Sequence, residues 1–347
     1  MIRISWSEGR WFPTLIKGGA MGVVDVFPVY AGGVSYPWRE SELVWYFDPA
    51  RQDWFPAAPM PLGRCYTTGC TAGDGLLVVG GRKTTAGKVQ VLNDAWLLRR
   101  VDGEWRWTEL PRLHQARGVA VVAVVGSRAV VAGGGDWERK RGGAFVASGV
   151  TKVEALDLTN LRAGWRDLGE PPFRPRASAA AAALGGSFYV FGGYDCTVSE
   201  GGDRHIETFD DAYRLDIQSG KWTQVAALPM KLRGHAALPF GDRYIVLAGG
   251  CLDIPFLGQH VPLHTLRVNA KRSAVSGGYS DLVLVYDAEE DRYGLLPDRL
   301  PHGLNDIRGC VVGSSIWLVG GESVDPTTSN TTDAVMIGAV SEEPAPG

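Results

Sequence analysis

SFYVFGG, residues 187–193, is a short apolar run of strand-forming residues stopped by two glycines. Aromatic and β-branched side chains suit a pleated, buried strand, and paired glycines end it because glycine enters left-handed backbone regions without steric cost. The cassette returns as PVYAGG at 28–33, LLVVGG at 76–81, AVVAGG at 129–134, YIVLAGG at 244–250 and IWLVGG at 316–321. Six copies in 347 residues mark a repeat protein. Self-similarity of this kind argues for one closed domain over residues 1–347 rather than the two domains that length alone suggests.

After each glycine pair comes a variable loop, then a strand that often opens on an acidic residue, as in NDAWLL from Asn93, DDAYRLD from Asp210 and SDLVLVYD from Ser280. An aromatic residue on a further strand follows: Trp54, Trp105 or Trp107, Trp165, Trp222 and Tyr293. The next glycine pair is 26 residues beyond Trp54 and 27 beyond Trp165, Trp222 and Tyr293. That interval holds a proline-rich turn and a strand of small residues, so each unit supplies four strands. Four-stranded units of this length, arranged radially, make an all-β, six-bladed β-propeller, which limits exposed sheet edges by closing on itself. The ends fit closure. Trp6 stands 26 residues before Gly32, like an outermost strand without inner partners, so residues 2–6 are expected to complete the sixth blade.

Composition agrees: 45% apolar residues, 46 glycines and 12 tryptophans suit many short strands joined by turns. A net charge of -3 gives no electrostatic reason to expect nucleic acid. The opening MIRISWSEGRWF lacks a basic-then-apolar leader, and nowhere do about 18 apolar residues run together. Five cysteines, Cys65, Cys70, Cys196, Cys251 and Cys310, suit reduced thiols. The expectation is a cytoplasmic protein without a membrane partner, metal or cofactor.

The double glycine, the acidic opening of the third strand, the tryptophan and the Pro/Arg turn resemble kelch repeats. Arg64, Arg117, Arg176 and Arg233 each precede the first glycine of a pair by 16 residues. The resemblance implies that these arginines support packing between strands and blades.

Function is sought where the repeats differ. Innermost strands are otherwise small or apolar, as in GVAVVAV from Gly118 and ASAAAAAL from Ala177. Reading back from Gly320 sets Arg308 level with Val121, Ala180 and Ala237, a lone cation on an innermost strand. A buried guanidinium is costly unless it is paired or faces a wet cavity. Either an internal pair with Asp306 or Glu322 or a bound ligand would account for it. Residues just after the glycine pairs gather, in kelch propellers, at the same mouth: Arg82, Asp136, Tyr194, Asp195 and Glu322 are candidates there, and His235 sits nearby. Two long loops are expected to wall the pocket: 195–210, with Glu200, Arg204, His205 and Glu207, and 251–278, with His260, His264, Arg267, Lys271 and Arg272. His260 and His264 lack the further ligands a zinc site needs.

There is no GxSxG elbow, GxxxxGK[ST] loop or HExxH pair. Six blades, a long insertion after the fifth glycine pair, and a last repeat LVGGESVDPTTSNTTDAVMIG with Glu322 directly after the glycines resemble bacterial N-acetylneuraminate mutarotases, also called sialic acid epimerases. The resemblance implies an isomerase of carbohydrate metabolism. Glu322 and His235 would be the acid/base pair, and Arg308 and Arg82, with Asp136, Tyr194, Asp195 and Arg204, would bind a small anionic sugar. The alternatives are an interaction module that holds an acidic peptide of a protein partner, or a sugar lyase or hydrolase on the same scaffold.

Overall fold

The computed structural model describes residues 2–35, 39–139, 145–198, 204–252, 268–269, 278–323 and 331–342. The SFYVF run is the strand Ser187–Phe191, buried at every position. It pairs antiparallel with Ala180–Leu184 on one side and Ala212–Asp216 on the other, and Trp222–Val225 forms the outer edge. Gly192 and Gly193 then turn with φ of 53° and 96°. A Cβ on Gly192 would stand 2.3 Å from the Leu232 carbonyl oxygen of the next blade, so the position is closed to other residues both by φ and by space.

Six such four-stranded sheets recur. Their innermost strands are Ala20–Val24, Thr68–Ala72, Val121–Val125, Ala180–Leu184, Ala236–Phe240 and Arg308–Val312. Each packs on the next and the last packs on the first, which makes the ring a propeller. The sixth sheet takes its outer strand from the other end of the chain. Ile2–Glu8 pairs antiparallel with Val335–Glu342, with Ile4 opposite Val340 and Trp6 opposite Gly338. This strand runs two residues past the expected 2–6, and its Ile2 and Ile4 are fully buried. Among the described residues no helix is long and apolar enough to cross a membrane.

The recurrent arginines join neighbouring blades. Arg64 grips Asp94 through two hydrogen bonds of 2.6 and 2.7 Å and donates to the Gly80 carbonyl at 3.1 Å. Arg176 does the same with Asp211 and the Gly192 carbonyl, while Arg117 makes one hydrogen bond to Glu154 and donates to the Gly133 and Lys152 carbonyls. Outside, the blade tryptophans make a second stitch. The Nε1 atoms of Trp54, Trp107 and Trp165 donate to the carbonyls of Arg10, Ala58 and Pro111, in the segment leaving the preceding blade. Trp107, not Trp105, fills this role in the second blade. In the fifth, the Tyr293 hydroxyl donates to the Ala226 carbonyl.

Arg233 departs from the expected series. The carbonyl that accepts from the second glycine of the preceding blade belongs to Arg64, Arg117 and Arg176 in three blades, but to Leu232 in the fifth. Arg233, one residue on, donates instead to Thr208 Oγ1 at 2.5 Å. The cause is a turn. The inner hairpin of the fifth blade turns over three residues, 241–243, where that of the fourth uses Gly185 and Gly186 alone. Counting back from the glycines therefore slips by one, and Arg308 is level with Ala236 rather than Ala237.

Arg64→Ala leaves Asp94 buried without its cation and should lower stability by about 3 to 5 kcal/mol in urea unfolding. A shift of the denaturation midpoint too small to resolve contradicts the structural role given to this pair.

Candidate functional site at the propeller mouth

Six residues in left-handed backbone geometry open the six innermost strands: Gly18, Tyr66, Val119, Ser178, Gly234 and Asp306, with φ between 47° and 65°. Backbone hydrogen bonds run between them from blade to blade, including Ser178 N to Val119 O, Gly234 N to Ser178 O and Asp306 N to Gly234 O. For the non-glycine members this geometry costs roughly 1 to 2 kcal/mol each. The residue before each pairs with the one that follows a glycine pair: Lys17 with Val34, Cys65 with Arg82, Ala177 with Tyr194, Arg233 with Cys251 and Asn305 with Glu322. The ring thus brings the post-glycine residues and the strand entries to one mouth.

Charge concentrates where the first and sixth blades meet. Lys17 Nζ lies 2.6 Å from Glu322 Oε1, while the Tyr279 hydroxyl and Asn305 Nδ2 each donate to Oε2 at 2.9 Å. Burial alone would raise the Glu322 carboxyl, but Lys17 and these hydrogen bonds hold it below the usual carboxylate range. Asp306 is placed differently. Its Oδ1 meets Arg308 Nη1 at 2.9 Å, while its Oδ2 has no hydrogen-bond partner among the described residues and the residue is only 8% exposed. Burial lifts this carboxyl above its ordinary value, Arg308 offsets only part of that, and the Glu322 charge adds to it.

Arg308 Nε also donates to the Gly19 carbonyl at 2.7 Å, and Nη1 to Ile307 O at 3.2 Å. Its side chain keeps 22% of its surface exposed. That surface faces a cavity of about 90 Å³ on the propeller axis, lined also by Asp306, His235, Ser178 and Thr68. Below it, innermost-strand residues including Met21, Cys70, Ala182 and Cys310 line a wider cavity of about 320 Å³. His235 is 4% exposed, neither ring nitrogen has a partner among the described residues, and burial pushes its pKa down to about 3. The ring is neutral at physiological pH, which does not suit the proton-donor role expected from sequence.

The other expected residues divide. Arg82 lies over the Tyr66 ring at 4.7 Å and donates from Nε to Cys65 Sγ at 3.4 Å. Tyr66 is near enough to Asp306, Glu322 and Arg82 to feel all three charges, so Arg82 borders the cluster. Tyr194 packs with Val119 and Ala177, and Arg233 stands 5.7 Å over its ring. Asp195 points elsewhere. It pairs with Arg174, half exposed, which also holds Glu207, and it does not line the axial cavity. Asp136 and Arg204 are on the hairpin strands Gly135–Arg139 and Arg204–Thr208 that follow the third and fourth glycine pairs. The side chains of both, with His205, Glu200 and residues 253–267 and 270–277, lie outside the described residues. Lys17, Asn305 and Tyr279 carry no signal in the sequence, and Asp306 stands there only as an internal partner for Arg308.

A buried neutral histidine has a pH signature. In the unfolded chain it protonates below about pH 6.5, whereas in the fold it stays neutral down to about pH 3. Stability is therefore lost as pH falls through that window, by about 2 kcal/mol at pH 5. His235→Leu should flatten this part of the urea-midpoint profile, and an unchanged slope between about pH 6.5 and pH 5 contradicts the neutral ring.

Comparison with known proteins agrees with this architecture. Residues 20–250 match the family model of the KLHDC2/KLHL20/DRC7 Kelch-repeats domain. The chain is 32% identical over 157 residues to an N-acetylneuraminate epimerase of Yersinia pestis (strain Pestoides F), covering 41% of this chain and 40% of that protein. It is 27% identical over 213 residues to Kelch-like protein 25 of Xenopus tropicalis, 60% of this chain and 32% of the relative. The matches thus span well under half the length of these curated relatives. A solved structure described as "Structure of YjhT" superposes over 96% of this chain and 99% of its own with a TM-score of 0.69 at 18% identity, which speaks to the fold. Six glycine-paired sheets closed into a ring, with a family match over more than half the residues, make this chain a member of the kelch-repeat family.

Proposed function

We propose that the mouth binds a small anionic sugar of the N-acetylneuraminate class and interconverts its anomers. The observation that carries this reading is Arg308. It is a guanidinium on an otherwise small-residue innermost strand, turned to an axial cavity, with a proton-avid carboxyl beside it. A carboxylate on the sugar would take charge-assisted hydrogen bonds from Arg308. The partial likeness to N-acetylneuraminate epimerases supports the choice of ligand.

Interconversion needs a base and an acid. Glu322, ionised and held by Lys17, Tyr279 and Asn305, takes the proton of the anomeric hydroxyl. As the carbonyl forms, the bond from the anomeric carbon to the ring oxygen breaks, and that oxygen takes a proton from the Asp306 carboxyl. Rotation of the open-chain keto acid and reclosure on the other face return both protons. Asp306 replaces His235 as the acid, since a ring with pKa about 3 is a neutral imidazole near pH 7, whose N–H is a poor proton donor. His235 is left as a neutral hydrogen-bonding wall of the cavity.

Proton NMR of freshly dissolved α-anomer tests this. Equilibration should be faster with protein, and Asp306→Asn or Glu322→Gln should slow it by about 10² to 10⁴-fold. Arg308→Ala should weaken binding by about 1.5 to 3 kcal/mol. Equilibration no faster with protein than without overturns the reading, and binding of an acidic peptide but not the sugar would replace it with a protein-interaction role.

A further inference from the structure

The two carboxylates at the mouth are unequally served. Among the described residues Glu322 has three side-chain donors, Lys17, Tyr279 and Asn305, whereas Asp306 has one, Arg308, and an Oδ2 atom with none. Lys17 and Arg308 together balance these two negative charges. A ligand carboxylate that takes both Nη atoms of Arg308 from the cavity competes with Asp306 for Nη1, the donor to its Oδ1. It also brings a third negative charge into a cluster with two close cations. Leaving Asp306 ionised without Arg308 would strand a buried charge, which is far more costly than protonating it.

We infer that a carboxylate ligand displaces Asp306 from Arg308 and that Asp306 takes up one proton as it is released, so that binding itself loads the acid. The inference rests on the anionic-sugar reading only for the identity of the natural ligand. Among the described residues, the groups facing Asp306 do not compete for that proton. Burial raises the hydroxyls of Tyr30, Tyr66 and Tyr279 above their usual range, so they are already protonated. Cys65, pushed up to about 11 by burial, stays a thiol, and the His235 ring stays neutral. Lys17 remains committed to Glu322, which keeps its three donors and its charge, and Arg82 borders the cluster across Tyr66. The elevated proton affinity of Asp306 before any ligand arrives points the same way.

The test is calorimetric titration of the full chain with N-acetylneuraminate and, separately, with pyruvate, in buffers of different ionisation enthalpy. The expected result is uptake of about one proton per ligand bound, with affinity falling by about tenfold per pH unit above neutrality. Asp306→Asn, which tolerates left-handed geometry, should bind more tightly, with no uptake and no pH slope. Its thermal transition, matched to the parent's, checks that it folds. Binding without proton uptake, or uptake that persists in Asp306→Asn, overturns the inference even if the sugar reading stands. Pyruvate binding with uptake, when the sugar does not bind, supports the inference and removes the sugar reading. If neither probe binds, both fall.

Discussion

Six backbone hydrogen bonds, one at each junction, run from the second glycine of a pair to the carbonyl at the entry of the next innermost strand. They join Gly33 to Arg64, Gly81 to Arg117, Gly134 to Arg176, Gly193 to Leu232, Gly250 to Leu304 and Gly321 to Ile16, at 2.7 to 2.9 Å. Each needs a close backbone approach, which is why a Cβ on Gly80, Gly192 or Gly320 would stand within 2.4 Å of a neighbouring carbonyl oxygen. The glycine pair is thus the joint of the ring as well as the end of a strand. The last of these bonds joins Gly321 to Ile16, and with the pairing of Ile2–Glu8 it places the two ends of the chain side by side.

That closure makes the site. Lys17 and Glu322 are 305 residues apart in sequence and 2.6 Å apart in space, because the first and sixth blades are neighbours. Arg308 reaches the Gly19 carbonyl across the same junction. The pocket chemistry we propose therefore belongs to a seam, and the small-residue innermost strands around it contribute mainly shape.

The parts of the fold that repeat were legible. The run at 187–193, the spacing from aromatic to glycine and the orphan strand around Trp6 each reflect a local requirement that recurs, so counting finds them. What counting missed has a physical cause in each case. An extra residue in the turn at 241–243 shifted Arg233 and Ala237 off their expected places without changing the strand pattern. Lys17 and Tyr279 sit in no motif: ring closure brings Lys17 to Glu322, and the packing of the fifth blade on the sixth brings Tyr279. Arg308 could be picked out because a cation breaks the run of small residues, but sequence could not divide ion pair from ligand site. The geometry shows the ion pair, in which Asp306 holds one edge of Arg308, and turns the rest of its exposed surface to the cavity where we place the ligand. His235 drew notice for its type, yet type says nothing of a burial that leaves it neutral.

Asp306 and Glu322 show how one mouth can hold two carboxyl groups of opposite character. Three donors fix Glu322 as an anion, whereas a single shared donor leaves Asp306 ready to accept a proton. The most direct measurement is a crystal structure of the protein with N-acetylneuraminate. The account predicts the sugar carboxylate within hydrogen-bonding distance of the Arg308 guanidinium, with Asp306 released toward the ring oxygen and Glu322 still held by Lys17. Arg308 turned away from the axis, or a sugar seated with no contact to it, would contradict that account.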